Sequence, residues 1–178
     1  MTRRQALQLF DHYVKGFIFT DVERSIRAKT NFLTALGLVS YTEFIGGLMS
    51  GNAGQAGHSR ASFNEAYRRL GPAYIAFDNE IGRRFHDRRR KPRSVYDIVR
   101  CGLVHEYFVK KNFVIARRRA RRSAPGVGWF GQKILIANQN YYQDFKTMCL
   151  AYRQELFENR ALRQRFSVAF RRKTYLNP

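Results

Sequence analysis

Apolar side chains recur every three or four residues through most of this chain, and this spacing limits the fold to one built mainly of helices. The pattern predicts a first helix over residues 3–15 and a long apolar helix from about Val22 to Met49. Further helices are expected from Ser59 or Ser62, from Pro72, from Ser94, after Asn138, and over residues 160–172. With 15 Phe and 10 Tyr available for a core, we expect a mainly α helical bundle that forms a single domain over residues 1–178.

Two short β-branched runs interrupt the helical pattern. Residues 112–116 and 133–137 are predicted to pair as the strands of a small β-hairpin, an insertion over 112–137 with a long basic loop between its strands. Five glycines lie between residues 46 and 58, and this segment is predicted to be a flexible loop. It lacks the Gly-Lys-Ser/Thr that ends a phosphate-binding loop.

The positive charge of the chain is concentrated in one region. The whole chain carries 33 Lys and Arg against 13 Asp and Glu, and residues 83–122 alone hold 15 of the basic and three of the acidic residues. Such a patch attracts polyanions, and RNA, DNA and anionic lipid all fit it. Because Arg outnumbers Lys 25 to 8 and binds phosphate in a bidentate way, nucleic acid is favoured over a membrane.

The candidate nucleic-acid-binding residues lie in two exposed basic segments. One is a predicted linker over residues 86–93, and the other is the loop of the predicted hairpin, where Trp129 is a candidate for stacking on a base. Core packing is the alternative for Trp129, and a simple solvated segment is the alternative for each charge run. The basic candidates are Arg88, Arg89, Arg90, Lys91, Arg93, Arg117, Arg118, Arg119, Arg121 and Arg122.

Several classes of protein are not expected. Two cysteines, Cys101 and Cys149, are too few for a disulfide scaffold or a four-cysteine zinc site, and no compact ligand spacing predicts a metal or another cofactor. The best candidate for a membrane span, residues 33–49, is short and contains Glu43. No secretory signal is visible at the start of the chain, so a cytoplasmic protein is expected.

The segment that begins at Ser94 carries the most specific chemistry. Ser94 and Asp97 have the spacing of a capping box, and the apolar residues that follow form one core-facing stripe. Arg100 and His105 lie on this helix. A histidine can accept and donate a proton near neutral pH, and a guanidinium offers two parallel donors to a phosphate.

The string from Tyr96 to Phe108 resembles the signature of the HEPN superfamily, an Arg followed after four to six residues by a His, here Arg100 and His105. The resemblance implies a helical bundle that dimerises near this helix and a ribonuclease that needs no metal. His105 would then transfer the proton of an RNA 2′-hydroxyl, and Arg100 would bind the adjacent phosphate. The resemblance implies RNA as substrate, a homodimer, and an antitoxin or another acidic protein among the candidate partners.

Other readings of this pair remain open. At 100° per residue the two side chains lie about 140° apart around one helix, so a shared phosphate requires a second copy of the chain or a helix that ends near Gly102. His105 is alternatively a structural histidine bonded to Asp97 or a backbone carbonyl, and Arg100 is alternatively paired with Asp97 or Glu106. Cys101 replaces the polar residue that many family ribonucleases have after the Arg, which favours a catalytically inactive HEPN-like binding module as the alternative function.

Overall fold

The computed structural model describes residues 1–106, 113–121 and 123–171, and the side chains of residues 104–106 lie outside that description. The prediction of a mainly α fold is confirmed, with a small three-stranded sheet near the middle of the chain. The elements in chain order are α1 (Arg3–Phe10), a π-helical segment (Asp11–Phe19), α2 (Thr20–Arg27), α3 (Asn31–Ser50), α4 (Ser59–Arg69), α5 (Pro72–Arg84), a second π-helical segment (Tyr96–Arg100), α6 (Cys101–Glu106), β1 (Phe113–Ala116), β2 (Val127–Phe130), β3 (Lys133–Ala137), α7 (Asn138–Glu158) and α8 (Arg160–Arg171).

One hydrophobic core joins these elements, and α3 lies at its centre. Side chains from α1 through α8 belong to the same buried cluster, and α3 packs against α4, α7 and α8. Aromatic residues fill much of it, including the fully buried Tyr67, Tyr141 and Tyr152. The Tyr141 hydroxyl lies 3.1 Å from the Thr42 hydroxyl of α3, so this buried polar group keeps a partner.

The helix boundaries near the start of the chain differ from the predicted ones. The first helix does not end near Lys15, because a π-helical segment carries it through Gly16 and directly into α2. The long helix predicted from Val22 to Met49 is instead two helices, since the chain turns at Lys29, whose φ is +59°. This turn folds α3 back against α2.

The glycine-rich segment 46–58 is only partly a loop, which corrects the prediction. Gly46 and Gly47 belong to the buried last turns of α3, and the loop begins at Gly51, where φ is +82°. A Cβ at Gly46 would lie 1.7 Å from the carbonyl oxygen of Ser62 in α4. Gly46 therefore lets α3 and α4 approach closely, and Gly47 lets the loop fold back on α3 at Ala53. A sequence pattern does not distinguish these roles from helix breaking.

The predicted hairpin between residues 112–116 and 133–137 is wrong, because β1 and β3 run parallel. The antiparallel partner of β3 is β2, and a turn at Gly131, with φ of +59°, joins them. The strand order is β1-β3-β2, with β3 in the middle and almost wholly buried. The 16 residues between the two apolar runs are long enough to hold a third strand, and period-two patterning does not specify which strands pair.

The α3 helix satisfies the length and composition of a membrane span, but it is also the core helix of this fold. Its apolar window has a mean hydropathy of 1.4, and 56% of that window is buried within the protein. A central helix of a bundle and a membrane-spanning helix share this composition. The composition of α3 is therefore accounted for by the packing just described.

The basic segment 86–93 is mostly exposed, as predicted, and it is folded into a closed turn between α5 and the second π-helical segment. His86 pairs with Pro92 across the turn, and the Asp87 amide donates to the Lys91 carbonyl at 2.9 Å. The Asp87 carboxylate accepts from the amides of Arg89 (2.8 Å) and Lys91 (2.9 Å). One aspartate thus offsets the mutual repulsion of the basic residues and holds them in a compact loop.

An acid-sensitive ion pair fastens the N-terminal helix to α7. Asp11 accepts two bonds from the Arg153 guanidinium, at 2.8 and 2.7 Å, and lies 2.8 Å from the Lys15 ammonium. Chiefly through the Arg153 bonds, the pKa of Asp11 falls from 3.8 to about 2. Because the folded-state pKa is lowered, the stabilisation is complete above the unfolded pKa and is lost as the pH falls from about 4 towards 2.

Replacing Asp11 with asparagine should therefore flatten the loss of stability between pH 4 and pH 2. Urea denaturation at fixed pH values measures this slope in the wild type and the variant. Glu158→Gln, which also removes one carboxylate but leaves the Asp11–Arg153 pair in place, is the control and should change the slope less than Asp11→Asn does. An Asp11→Asn slope equal to that of the wild type would contradict the assignment.

Candidate functional site

Arg100, one of the two predicted catalytic residues, forms a largely buried ion pair with Glu43 of α3. Its Nε lies 2.5 Å from Glu43 Oε2, and the two side chains are only 16% and 18% exposed. The two groups are close enough to form an ion pair, but their orientation does not satisfy the geometry of a hydrogen bond. Its Cζ also lies 5.6 Å from the centre of the Tyr96 ring. Glu43 is thus a partner of Arg100, whereas Asp97 pairs with Arg60, so the predicted pairing of Arg100 with Asp97 is wrong. The Glu106 side chain lies outside the described residues, and the alternative pairing with Glu106 stays a prediction.

Asp97 is engaged elsewhere, in the predicted cap. The Ser94 amide and hydroxyl donate to its carboxylate at 2.9 and 2.8 Å, and the Asp97 amide donates back to Ser94 Oγ at 3.4 Å. Arg60 of α4 donates to the same carboxylate at 2.8 Å. These bonds, with desolvation opposing them, lower the pKa of Asp97, so it remains ionised. The capping box is confirmed, and it fixes the start of the segment that carries Arg100.

The ion pair changes what Arg100 can do. A guanidinium already neutralised by a buried carboxylate offers little net charge to a phosphate, and a phosphate would have to displace Glu43. The backbone of His105 lies in α6, and its side chain is outside the described residues. The structure therefore gives Arg100 a structural partner in Glu43, and its placement relative to the His105 side chain lies outside the described residues.

The predicted basic residues fall into two groups by exposure. Those on the 86–93 turn and most of those after β1 reach solvent, whereas Arg93 and Arg119 are half-buried. Arg122 lies outside the described residues. The exposed members are Arg88, Arg89, Arg90, Lys91, Arg117, Arg118 and Arg121.

Arg119 holds the loop together through bonds to backbone carbonyls, and its predicted role in binding nucleic acid stays a prediction. Its guanidinium donates to the carbonyls of Pro125 (3.2 Å) and Val127 (3.1 Å), and its amide donates to Asn140 Oδ1 (2.9 Å). A Cβ at Gly128 would lie 2.7 Å from the same guanidinium. Arg119 therefore fastens the chain before β2 to the start of α7.

The surroundings of Trp129 match the alternative in which this residue packs on the core. Its ring centre lies 5.4 Å from that of Phe77 and 6.4 Å from that of Phe85, and the Arg84 Cζ lies 4.1 Å from it. The residue is half-buried against α5. Its main contribution is to hold β2 on the helical core, and base stacking at Trp129 stays a prediction.

A basic cleft that the sequence did not reveal lies where α2, the loop after β1 and the first turns of α7 meet. It has a volume of about 550 Å³. Two exposed cations, Arg27 and Arg118, line it together with Lys146. The remaining lining residues are Glu23, Ile26, Arg119, Gln139, Asn140, Tyr142 and Gln143. Among these cations, only Arg118 and Arg119 were candidates from the sequence. Arg27 and Lys146 were not, because they lie more than 90 residues apart in the chain.

The one carboxylate in this basic cleft is already engaged. Glu23 accepts from the Tyr142 hydroxyl at 2.6 Å and from Lys146 at 3.2 Å. Chiefly because of the Tyr142 bond, the pKa of Glu23 is lowered, and burial raises the pKa of Tyr142, so the pair stays carboxylate and phenol. Arg118 forms no ion pair with a carboxylate among the described residues, whereas Arg27 is close enough to Glu23 to contribute to its lowered pKa. The cleft thus keeps a net positive charge, because four cations line it with one carboxylate, beside three side-chain amides.

Metal ligands do not gather in the part of the chain that the structure describes, where no three His, Cys, Asp or Glu side chains lie close together. Of the two thiols, Cys149 is buried, and desolvation raises its pKa, so it stays protonated. Cys101 is half-buried and free. Cys149 therefore lacks the exposed, electropositive surroundings of a reactive cysteine.

Comparison of the chain with family models, with curated proteins and with solved structures found no match. The HEPN resemblance therefore rests on the segment that contains Arg100 and His105 alone, and it stays a prediction.

Proposed function

We propose that this protein binds RNA through the basic cleft, as a binding module and not through catalysis at Arg100. One observation carries the proposal: the cleft presents cations on three of its elements, while its single carboxylate is bonded to Tyr142 and Lys146. An open, concave, positive surface of this kind is what a phosphate backbone requires. The buried pairing of Arg100 with Glu43 supports binding without cleavage.

The side chains of the cleft supply two kinds of contact. Arg27, Arg118 and Lys146 would neutralise phosphates, which provides affinity without reading sequence. Gln139 and Gln143 lie one turn apart on α7 and carry amides that both donate and accept, so they can bond to the edges of unpaired bases. RNA is chosen over DNA because the HEPN resemblance implies it.

The test compares the wild type with a cleft variant, Arg27→Gln, Arg118→Gln and Lys146→Gln together. We expect the affinity for a 12-nucleotide single-stranded RNA, measured by fluorescence anisotropy, to fall by roughly 30- to 100-fold at 100 mM salt. The slope of log K against log salt should fall in magnitude by about 2, since each phosphate contact to a single strand contributes about 0.7.

A variant with the same change in charge is the control. Arg68→Gln, Arg83→Gln and Arg165→Gln together alter three exposed arginines that do not line the cleft. This variant should lose no more than about threefold in affinity, as expected from its net charge alone. Equal losses in both triple variants would contradict a defined cleft.

The ribonuclease alternative is tested by incubating the same RNA with the protein in EDTA. If the chain is a binding module, the RNA remains intact. Cleavage that leaves 2′,3′-cyclic phosphate ends, and that His105→Ala abolishes, would replace this proposal by the metal-independent endoribonuclease. The implied homodimer is tested on the same samples by sedimentation velocity.

A further inference from the structure

A second basic depression lies at the other end of α7, in a groove between α1 and α8. Its volume is about 740 Å³. Four arginines line it, Arg3, Arg160, Arg163 and Arg171, and no carboxylate does. None of the four forms an ion pair with an Asp or Glu side chain in the ranges that the structure describes.

Three of these arginines are held in place by neighbouring groups. Arg163 donates to the carbonyls of Leu156 and Phe157 at the end of α7, at 2.9 and 3.0 Å. Arg171 donates to the Ser167 hydroxyl at 3.2 Å, and the Arg3 guanidinium lies 4.5 Å from the centre of the Phe157 ring. Guanidiniums fixed in this way lose little further entropy when they bind an anion, and each retains unused N–H donors.

The length of the groove excludes a single small anion as its full occupant. Arg160 and Arg171 are eleven residues apart on α8, which is about 16 Å at roughly 1.5 Å per residue. An extended peptide covers this distance in about five residues at roughly 3.3 Å each. The groove therefore matches a chain that carries several anions in succession.

Apolar surface in the same groove favours a peptide over a nucleic-acid strand. Met1 and Val168 line the groove and are 39% and 45% exposed. An adjoining depression of about 540 Å³ shares Met1 and Arg171 and adds Leu9 and Tyr13. An RNA strand would find no exposed aromatic ring among the lining residues of the arginine-rich part on which to stack its bases. The aliphatic side chains of a peptide, in contrast, would pack against the exposed apolar surface of Met1 and Val168.

We propose that the α1–α8 groove binds an acidic, partly apolar segment of a partner protein, at a site separate from the basic cleft. Carboxylates of the segment pair with Arg3, Arg160, Arg163 and Arg171, and its aliphatic side chains cover Met1 and Val168. The inference does not depend on RNA binding, since the two sites share no lining residue.

The probe is a fluorescein-labelled nonapeptide with Glu-Glu-Leu repeated three times, titrated with the full chain and read by anisotropy. We expect saturable binding that weakens at least tenfold in Arg160→Gln/Arg171→Gln, two exposed positions whose change leaves the core intact. The matched control, Arg68→Gln/Arg165→Gln, should change the affinity less than twofold. A peptide with serine in place of leucine should bind at least threefold more weakly.

Three results would overturn the proposal: absence of saturable binding, an equal loss in both double variants, or equal affinity for the leucine and serine peptides. The 12-nucleotide RNA is measured with the same proteins. If the groove variant loses as much RNA affinity as the cleft variant, the groove is a nucleic-acid surface and the peptide assignment is wrong. If only the cleft variant loses RNA affinity while the groove variant loses the peptide, both sites stand as assigned.

Discussion

Replacing Gly46 with alanine should lower the free energy of unfolding by more than about 3 kcal/mol. The added Cβ would lie 1.7 Å from the Ser62 carbonyl oxygen and 3.1 Å from the Ala66 nitrogen, so α3 and α4 would have to move apart. Both neighbours are backbone atoms of a packed helix, and no side-chain rotation relieves the overlap. The whole core is affected because α3 also packs on α7 and α8.

Gly37→Ala is the control in the same helix. A Cβ at Gly37 would meet only the Tyr41 ring, at 3.7 Å, which is ordinary contact. Alanine is a better helix former than glycine, so this variant should be more stable by about 0.5–1 kcal/mol. Urea denaturation of both variants measures the difference. If the two substitutions have the same effect, the close approach of α3 and α4 at Gly46 is refuted.

Replacing Arg100 with alanine should destabilise the protein by about 2–3 kcal/mol, because it leaves Glu43 buried without its counter-ion. This value lies below the full cost of breaking a buried pair because both side chains keep some exposure. Glu43→Ala should be costly for the same reason. The double variant should lose clearly less than the sum, with a coupling of at least about 1 kcal/mol.

The control for this cycle is the Arg60–Asp97 pair, whose Arg60 side chain is 54% exposed. Its coupling should be smaller than that of Arg100 with Glu43, because solvent screens an exposed pair. RNA affinity is measured on the same variants and should change less than threefold, since neither residue of the Arg100–Glu43 pair lines the basic cleft. Additive losses at Arg100 and Glu43 would show that the two charges do not stabilise each other.

The Arg100–Glu43 pair also explains an oddity of the sequence. Glu43 is the one charged residue in an otherwise apolar stretch, where it argued against a membrane span. In the fold it lies beside Arg100, so the charge is compensated within the bundle. A charge that is out of place in the sequence of one apolar helix is thus compensated by an arginine 57 positions later in the chain.

The basic residues serve two purposes in this structure, which sequence counts do not separate. Arg119 and Arg163 bind backbone carbonyls and stabilise loops and helix ends. Arg118 and Arg160 form no ion pair with a carboxylate among the described residues and, like Arg27, they line depressions. Only the second group contributes charge that a ligand can use, so the proposed sites hold fewer cations than the composition suggests.

Several features followed from local sequence alone. The spacing of apolar residues predicted the helices from Ser59, from Pro72, after Asn138 and from Arg160, because a helix places residues three and four apart on one face. The Ser94–Asp97 cap was also predictable from local sequence, because the bonds between its two residues lie within a stretch of four residues. Local geometry determines both features, so the chain encodes them within short windows.

The remaining features depend on contacts between distant residues, and only the tertiary structure decided them. β1 pairs with β3 in parallel, Gly46 lies against α4, Arg100 pairs with Glu43, and the basic cleft gathers residues of α2 and α7. A period of two or of 3.6 states which face of an element is apolar, but not which element covers it. The sequence by itself determined the helical character and the positive charge, whereas packing of distant segments decided which charges are neutralised and which remain to bind a ligand.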